Sequence, residues 1–286
     1  MPPDLPVVNI ATERFYFERA VAGARFCTLL RPRQGAPRGA LLLVPPFAEE
    51  ANKTRRLCME IARSCAGAGW AVLLGDLAGT GDSEGDIGEI GWTNWVDDVA
   101  AFAARVRSES SGPFVILGLR LGALLAAAAL DGGLDADGLF LLCPVTNGKQ
   151  ALTQFLRVGA AADMGAGEAA TIDTRPLRAR LAAGENIEIA GYSLSPALAG
   201  GIEACQIGAA SALPPRLAWL ELVATDPPAA TPAVEMLAGR LRDTGRSLDL
   251  RLMTGPAFWQ TQEIEHLPQL PARICDQLGA FAECLA

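Results

Sequence analysis

The segment best suited to chemistry is a strand–turn–helix run whose turn carries an arginine. Phe114–Leu117 is an apolar run typical of a buried strand, and Leu121–Leu130 is typical of a helix. The turn between them reads Gly118-Leu119-Arg120-Leu121-Gly122. A G-x-S-x-G turn of this kind holds a serine nucleophile at its strained tip, and its glycines let helix and strand approach closely. Both glycines are present here, and Arg120 takes the position of the serine.

Arg120 can bind an anion but cannot act as a nucleophile or a base, because a guanidinium stays protonated at physiological pH. The turn would place it at a helix N-terminus, where backbone N–H groups favour negative charge. Two interpretations stay open: a clamp for a carboxylate, phosphate or sulfate group of a ligand, or a structural ion pair that fills the nucleophile space. Glu49 and Glu50 are the candidate acids for such a pair.

The usual partners of a catalytic serine are poorly represented. They would follow in the order acid, then histidine. Asp226 comes at the acid position, where an aspartate opening a Pro-Pro turn is an equally good explanation. The loop expected to hold the histidine reads GPAFWQ. The single histidine, His266, comes later beside Glu263 and Glu265, either as a solvated residue at a helix start or as a displaced catalytic base. The sequence therefore argues against an ordinary acyl-enzyme cycle.

Other groups complete the candidate site. The Pro45-Pro46-Phe47 turn follows a buried strand and has the position of an oxyanion turn, so the backbone N–H groups of Phe47 and Leu121 are predicted to face the site. Trp259 is expected to add an apolar wall, although it would be equally ordinary as a core residue.

A second match to G-x-S-x-G lies at Gly81–Gly85 and contains Asp82 and Ser83. This run sits in a long Gly- and Asp-rich loop and does not lead into a tightly packed helix. Its glycines are therefore assigned to turn geometry, and Ser83 is not taken as the nucleophile.

Strand-like and helical runs alternate along most of the chain, which is typical of helices covering a mostly parallel sheet. Arg14–Glu18 and Ala24–Leu30 predict an opening antiparallel pair, a helix is predicted from Lys53 to Ala66, and Thr93 is the predicted cap of the next helix. Together with the turn at Gly118–Gly122, which is called the nucleophile elbow in enzymes that carry a serine there, this order predicts an α/β-hydrolase fold with helices on both faces of the sheet.

The alternation stops between Pro144 and Pro215, where Gly/Ala-rich pieces such as VGAAADMGAGEAA occur. We predict a core of residues 1–146 and 216–286 and a cap insertion of residues 147–215. Ligands bind beyond the carboxyl ends of the strands in open α/β sheets, so the cap is expected to roof the site.

Composition excludes several classes of function. The chain has 286 residues, half of them apolar, and a net charge of −8 without a long basic run, so nucleic acid is not an expected partner. No signal peptide and no transmembrane segment are predicted, and the seven cysteines include no CxxC pair, which favours a reduced cytoplasm. No metal and no cofactor are expected from one histidine and dispersed acids. The sequence does not indicate an oligomeric state.

Several longer segments resemble one family: VPPFAEEANKTRR (44–56), GDLAGTGDSEGD (75–86), GLRLGA (118–123), NGKQALTQFLR (147–157), GYSLSPAL (191–198) and GPAFWQTQEI (255–264). They are similar to the exosortase A system-associated hydrolase 2 family of the α/β-hydrolase superfamily, whose genes lie near exopolysaccharide and exosortase loci in Gram-negative bacteria. The resemblance implies a role in handling envelope polysaccharide or its precursors, and an elbow arginine as a family trait. It also implies a polar cap lining, with exposed cap residues as the alternative: Lys149, Gln150, Gln154, Arg157 and Tyr192.

Two functional hypotheses follow. The first is a pseudoenzyme that binds an anionic small molecule at Arg120 without serine hydrolysis. The second is a hydrolase or transferase of unusual mechanism, in which Arg120 stabilises developing charge and a carboxylate activates water. The candidate carboxylates are Asp226, Glu49 and Asp82.

Overall fold

The structure, a computed structural model, describes residues 10–17, 23–163, 173–261 and 263–283. Three parts of the sequence predictions lie outside the described residues. They are Glu18 of the opening strand pair, the Gly/Ala-rich run beyond Asp163, and residues 284–286, where the sequence pattern predicts the end of a final helix that runs to Ala286.

A mostly parallel sheet of eight strands forms the centre of the protein, in the order β1-β2-β4-β3-β5-β6-β9-β10. β2 pairs antiparallel with β1 and β4, and the pairs from β4 to β10 are parallel. A separate hairpin is formed by β7 and β8. The strands are β1 (Ile10–Phe17), β2 (Arg25–Pro32), β3 (Gly39–Val44), β4 (Trp70–Gly75), β5 (Phe114–Leu119), β6 (Gly138–Leu142), β7 (Ile187–Ile189), β8 (Tyr192–Leu194), β9 (Arg216–Val223) and β10 (Ser247–Thr254).

Helices cover both faces of this sheet, as predicted. β3, β5 and β6 are buried along their whole length, which explains their nearly continuous apolar runs. One apolar core contains the helices Trp92–Arg107 and Leu121–Asp131, and the other contains the helices Glu49–Gly67 and Gln269–Glu283. The helices are α1 (Glu49–Gly67), α2 (Trp92–Arg107), α3 (Leu121–Asp131), α4 (Gly148–Asp163), α5 (Arg175–Ala182), α6 (Pro196–Ala204), α7 (Pro232–Asp243) and α8 (Gln269–Glu283). Within the described ranges, none is long and apolar enough to cross a membrane.

Two predicted helix starts are wrong. α1 begins at Glu49, ahead of the predicted Lys53, so both candidate glutamates lie in its first turn. The cap of α2 is Gly91 and not Thr93. Gly91 has an extended backbone, and its N–H donates to the Asn94 side chain at 2.9 Å. Because that acceptor belongs to the third helical residue, no threonine cap is needed.

The segment predicted as a cap, residues 147–215, contains α4, α5, the β7–β8 hairpin and α6. It is tied to the loop after β4 by hydrogen bonds from Asn186 to the Gly88 carbonyl at 2.8 Å and from Ser195 to the Ile90 carbonyl at 2.6 Å. These bonds hold the hairpin near the carboxyl edge of the sheet. The boundaries of the cap stay a prediction.

The loop after β4 is fixed by buried polar contacts. The Ser83 hydroxyl donates to the Asp76 carbonyl at 2.6 Å and accepts from the Phe26 N–H at 2.8 Å. Asp98 accepts from Arg25 Nε at 2.8 Å and from the Ala78 N–H at 2.9 Å. The second G-x-S-x-G match is therefore a structural loop whose serine is used to hold it against β2.

Candidate functional site

The turn between β5 and α3 has the geometry of a nucleophile elbow. Arg120 has φ 54° and ψ −119°, a backbone conformation that residues other than glycine rarely adopt. Its N–H donates to the Leu142 carbonyl at 3.1 Å, and its carbonyl accepts from the Val145 N–H at 3.0 Å. A Cβ on Gly118 would clash with the backbone of Ala123, which explains why the frame requires a glycine there.

The Arg120 guanidinium is paired and covered. Its Nε and Nη2 donate to the two carboxylate oxygens of Glu50 at 3.3 and 3.2 Å, and its Nη1 donates to the Cys143 carbonyl at 3.0 Å. Its central carbon lies 4.2 Å from the ring centroid of Trp259. The Arg120 side chain is 17% exposed and that of Glu50 is 28% exposed. Of the two interpretations open from the sequence, these contacts match the ion pair that fills the nucleophile space.

Trp259 lies in the loop where a catalytic histidine was expected. Its ring stacks on the guanidinium, a geometry in which the negative face of the aromatic ring attracts the cation. Phe258 packs edge-on against it with ring centroids 4.9 Å apart. Asp226 and His266 are exposed, and neither is among the described contacts of Arg120. The structure thus brings Glu50 and Trp259 to Arg120 but leaves the predicted acid and histidine apart from it.

A second carboxylate near the guanidinium was missed by the sequence predictions. Glu221 lies on β9 and accepts from the Trp219 indole N–H at 2.8 Å. Burial raises its pKa, while the Trp219 hydrogen bond and the Arg120 charge act in the opposite direction. Its signal was present, since a glutamate interrupts the otherwise apolar run LAWLELV.

A cavity lies beside the elbow, at the turn formed by Pro45, Pro46 and Phe47. Its volume is about 330 Å³, and it opens between the ends of β3 and β4, the start of α1 and the β7–β8 hairpin. Arg120 and Glu50 are not among its lining residues, which include Phe47, Ala48, Asn52, Arg55, Met59, Asp76, Leu77, Thr80, Trp95 and Tyr192. Since ligand sites are usually such mainly apolar clefts with a few polar groups, this cavity is the better candidate for a binding site.

The β7–β8 hairpin borders this cavity through Tyr192. Asn52 of α1 donates to the Tyr192 hydroxyl at 2.6 Å, and that hydroxyl donates to Glu49 at 3.2 Å. Burial, reinforced by the neighbouring Glu49 carboxylate, raises the pKa of Tyr192. Glu49 is therefore a partner of the cap and not of Arg120.

Arg55 is the cationic residue of the cavity lining, and its charge is matched. Its Nη2 lies 2.9 Å from Asp76 and 3.3 Å from Asp82. Asp82 is thus held at the cavity rim, away from the elbow. Gln154 and Arg157 are exposed on α4, as are Lys149 and Gln150, so the exposed-residue alternative describes all four.

Phe47 and Leu121, whose backbone N–H groups are predicted to face the site, lie close together. Both line a second cavity of about 10 Å³, close to the lower limit for one water molecule. The Phe47 ring packs against Phe155 of the inserted segment, with centroids 5.1 Å apart, and against Trp95 at 5.6 Å. Aromatic packing therefore fills much of the space above the turn.

Comparisons with known proteins agree on the architecture. A family model described as serine aminopeptidase, S33, matches residues 35–172, slightly less than half of the chain, and this range includes the elbow. No curated protein matches the chain.

Among solved structures, a thermostable carboxyl esterase from Bacillus coagulans, in complex with glycerol, is 14% identical, with a TM-score of 0.63 over 95% of this chain and 99% of the esterase. Est1E from Butyrivibrio proteoclasticus, with ferulic acid bound, is 14% identical, with a TM-score of 0.63 over 93% and 99%. The mouse alpha/beta hydrolase domain-containing protein 10 is 14% identical, with a TM-score of 0.58 over 96% and 100%. The order of the strands, the elbow between β5 and α3 and these full-length similarities show that the chain has the α/β-hydrolase fold.

Proposed function

We propose that the protein binds a small organic molecule in the cavity beside the elbow and does not hydrolyse esters through a serine. One observation carries the proposal: the nucleophile position holds Arg120, which is covered by Glu50, the Cys143 carbonyl and Trp259. The Arg120 side chain cannot lose its proton, so the elbow offers no nucleophile. Because the guanidinium is already paired and covered, it also leaves no space for an acyl intermediate.

The cavity determines the class of ligand in this proposal. Its lining is mainly apolar, and its charged members Arg55 and Asp76 form an ion pair with each other. A molecule with an apolar body and hydrogen-bonding groups directed at Asn52 and Tyr192 fits these walls. The anionic ligand predicted from the sequence would need Glu50 to leave the guanidinium first, so we place it second.

The cellular role in this proposal rests on the family resemblance alone. The segments that resemble the exosortase A system-associated family support a ligand from envelope polysaccharide production, handled in the cytoplasm. Of these segments, 44–56, 75–86 and 191–198 contribute residues to the cavity lining, which is consistent with a family-specific ligand site.

The absence of serine chemistry is tested with a fluorophosphonate probe and p-nitrophenyl esters. We expect no labelling and no turnover above a buffer control. Labelling at Ser83 would refute the proposal. Turnover without labelling, abolished by Asp226→Asn, Glu49→Gln or Asp82→Asn, would favour the alternative hydrolase in which a carboxylate activates water.

Binding in the cavity is tested with the fluorescent apolar probe 8-anilinonaphthalene-1-sulfonate. Ala51 lines the cavity, so Ala51→Phe should fill it and weaken probe binding about tenfold, which corresponds to about 1.4 kcal/mol. Ala233, exposed on α7, gives the matched control Ala233→Phe, which should leave the affinity unchanged. Equal affinity in the two variants would locate the probe elsewhere and count against this site.

A further inference from the structure

Two cysteines from distant parts of the chain meet between α1 and α8. The Sγ atoms of Cys65 and Cys275 lie 3.3 Å apart, although the residues are 210 positions apart in sequence. Cys65 is fully buried and Cys275 is half-buried. Both helices pack on the same face of the sheet, so the contact joins two elements of one apolar core.

This separation is close to bonding distance. A disulfide has an S–S length of about 2.05 Å, so the two sulfurs need to approach by only about 1.2 Å. Cys205 is also half-buried, but it lies just after α6 in the inserted segment. We propose that Cys65 and Cys275 form a reversible disulfide when the protein is exposed to hydrogen peroxide.

The accessible thiol reacts first. The hydrogen bond with Cys275 and burial raise the pKa of the Cys65 thiol, so Cys65 keeps its proton. The Cys275 sulfur attacks one peroxide oxygen, the O–O bond breaks, and a sulfenic acid and one water form. The Cys65 sulfur then attacks the sulfenic sulfur, the S–O bond breaks, and the departing hydroxide takes the Cys65 proton as a second water. Two thiols are oxidised to one disulfide, and one peroxide is reduced to two waters.

The cross-link would join the two segments that cover Arg120. α1 carries Glu50 in its first turn and Cys65 near its end, about 22 Å away along the helix axis. The chain that carries Trp259 continues into α8, which carries Cys275. A bond between the helices would therefore connect the segment that carries the glutamate to the segment that follows the indole.

The test uses the full-length reduced protein and a low excess of hydrogen peroxide. Thiols titrated after denaturation should fall from seven to five, and dithiothreitol should restore all seven. Peptide mass spectrometry should show Cys65 linked to Cys275. The oxidised protein should unfold roughly 4 to 10 °C higher, because the bond closes a loop of about 210 residues.

Variants separate this pair from general oxidation. Cys275→Ser should keep its six thiols under the same treatment, whereas Cys205→Ser should fall from six to four, as the pair predicts. A disulfide mapped to Cys284, which lies outside the described residues, would overturn the proposal. Loss of thiols to sulfinic acid without a cross-link in the otherwise unchanged protein would overturn it as well.

Discussion

Removing the carboxylate of Glu50 should destabilise the fold more than an ordinary surface substitution does. Exposed ion pairs contribute about 0 to 1 kcal/mol, whereas breaking a fully buried pair costs about 3 to 5 kcal/mol. The Arg120–Glu50 pair lies between these limits, with side chains 17% and 28% exposed and contacts of 3.2 and 3.3 Å. The Cys143 carbonyl and the Trp259 ring continue to stabilise the cation. We therefore expect Glu50→Ala to lower the free energy of unfolding by about 2 kcal/mol.

Glu49 provides the matched control. Both glutamates lie in the first turn of α1, so both substitutions lose a similar interaction with the helix dipole. Glu49 is 58% exposed, and its contacts are Tyr192 at 3.2 Å and Lys53 at 4.0 Å. Glu49→Ala should therefore cost less than about 1 kcal/mol.

Urea titration at pH 7 measures the pair directly through a double-mutant cycle with Arg120→Met. The coupling free energy should be about 1 to 2 kcal/mol, since the two residues touch through two hydrogen bonds. Sodium acetate should raise the melting temperature of Glu50→Ala more than that of the unchanged protein, because a free carboxylate can occupy the vacated position. Additive effects in the cycle would refute the ion pair as the filler of the nucleophile space. A loss of unfolding free energy in Glu50→Ala no larger than that in Glu49→Ala would refute it as well.

Three further predictions use other parts of the molecule. Asp98→Ala should lower the unfolding free energy in urea by about 3 to 5 kcal/mol, because it leaves the fully buried Arg25 cation without that carboxylate; a loss under 1 kcal/mol would contradict this. Burial raises the pKa of Glu221, so the folded state binds the proton more tightly than the unfolded state, and stability falls as pH rises from the ordinary glutamate value through the raised one. Glu221→Gln should flatten that part of the stability–pH curve and stabilise the protein at pH 7, and an unchanged slope would exclude Glu221 as its source. Gly118→Ala should lower the free energy of unfolding by about 3 kcal/mol in the same urea assay, since the added Cβ would meet the backbone of Ala123. Gly279 lies on α8 and a Cβ added there would contact no other residue, so Gly279→Ala should not lower the free energy of unfolding.

The architecture was largely predictable from sequence because its signals are local. Continuous apolar runs marked β3, β5 and β6, and the glycine frame marked the elbow. Helix starts were less accurate, since the first turn of α1 is acidic and polar and lacks a side-chain cap. The wrong start of α1 affects the candidate site, because the observed start at Glu49 places Glu49 and Glu50 in the first turn of the helix.

The partner of Arg120 was predicted only to within a choice of two. Adjacent helical residues point about 100° apart, so one of Glu49 and Glu50 had to face away from the elbow. Which one does so depends on the angle at which α1 leaves β3, and this follows from the packing of the turn at Phe47 and not from a sequence pattern. The offset of the cavity from Arg120 has the same origin, since it depends on where the β7–β8 hairpin rests on α1.

The strained turn at Arg120 is maintained by backbone contacts of the fold, whichever residue stands at its tip. Its backbone is held by the Leu142 carbonyl on one side and the Val145 N–H on the other, and neither bond involves a side chain. Gly118 and Gly122 admit the neighbouring backbone regardless of which residue stands between them. The turn therefore keeps its shape whichever residue stands at the serine position. An arginine at that position is a cation, and it needs a carboxylate as its partner. Because Glu50 supplies that carboxylate from α1, the Arg120–Glu50 pair links the turn after β5 to the start of α1, and the cavity of about 330 Å³ lies beside this pair.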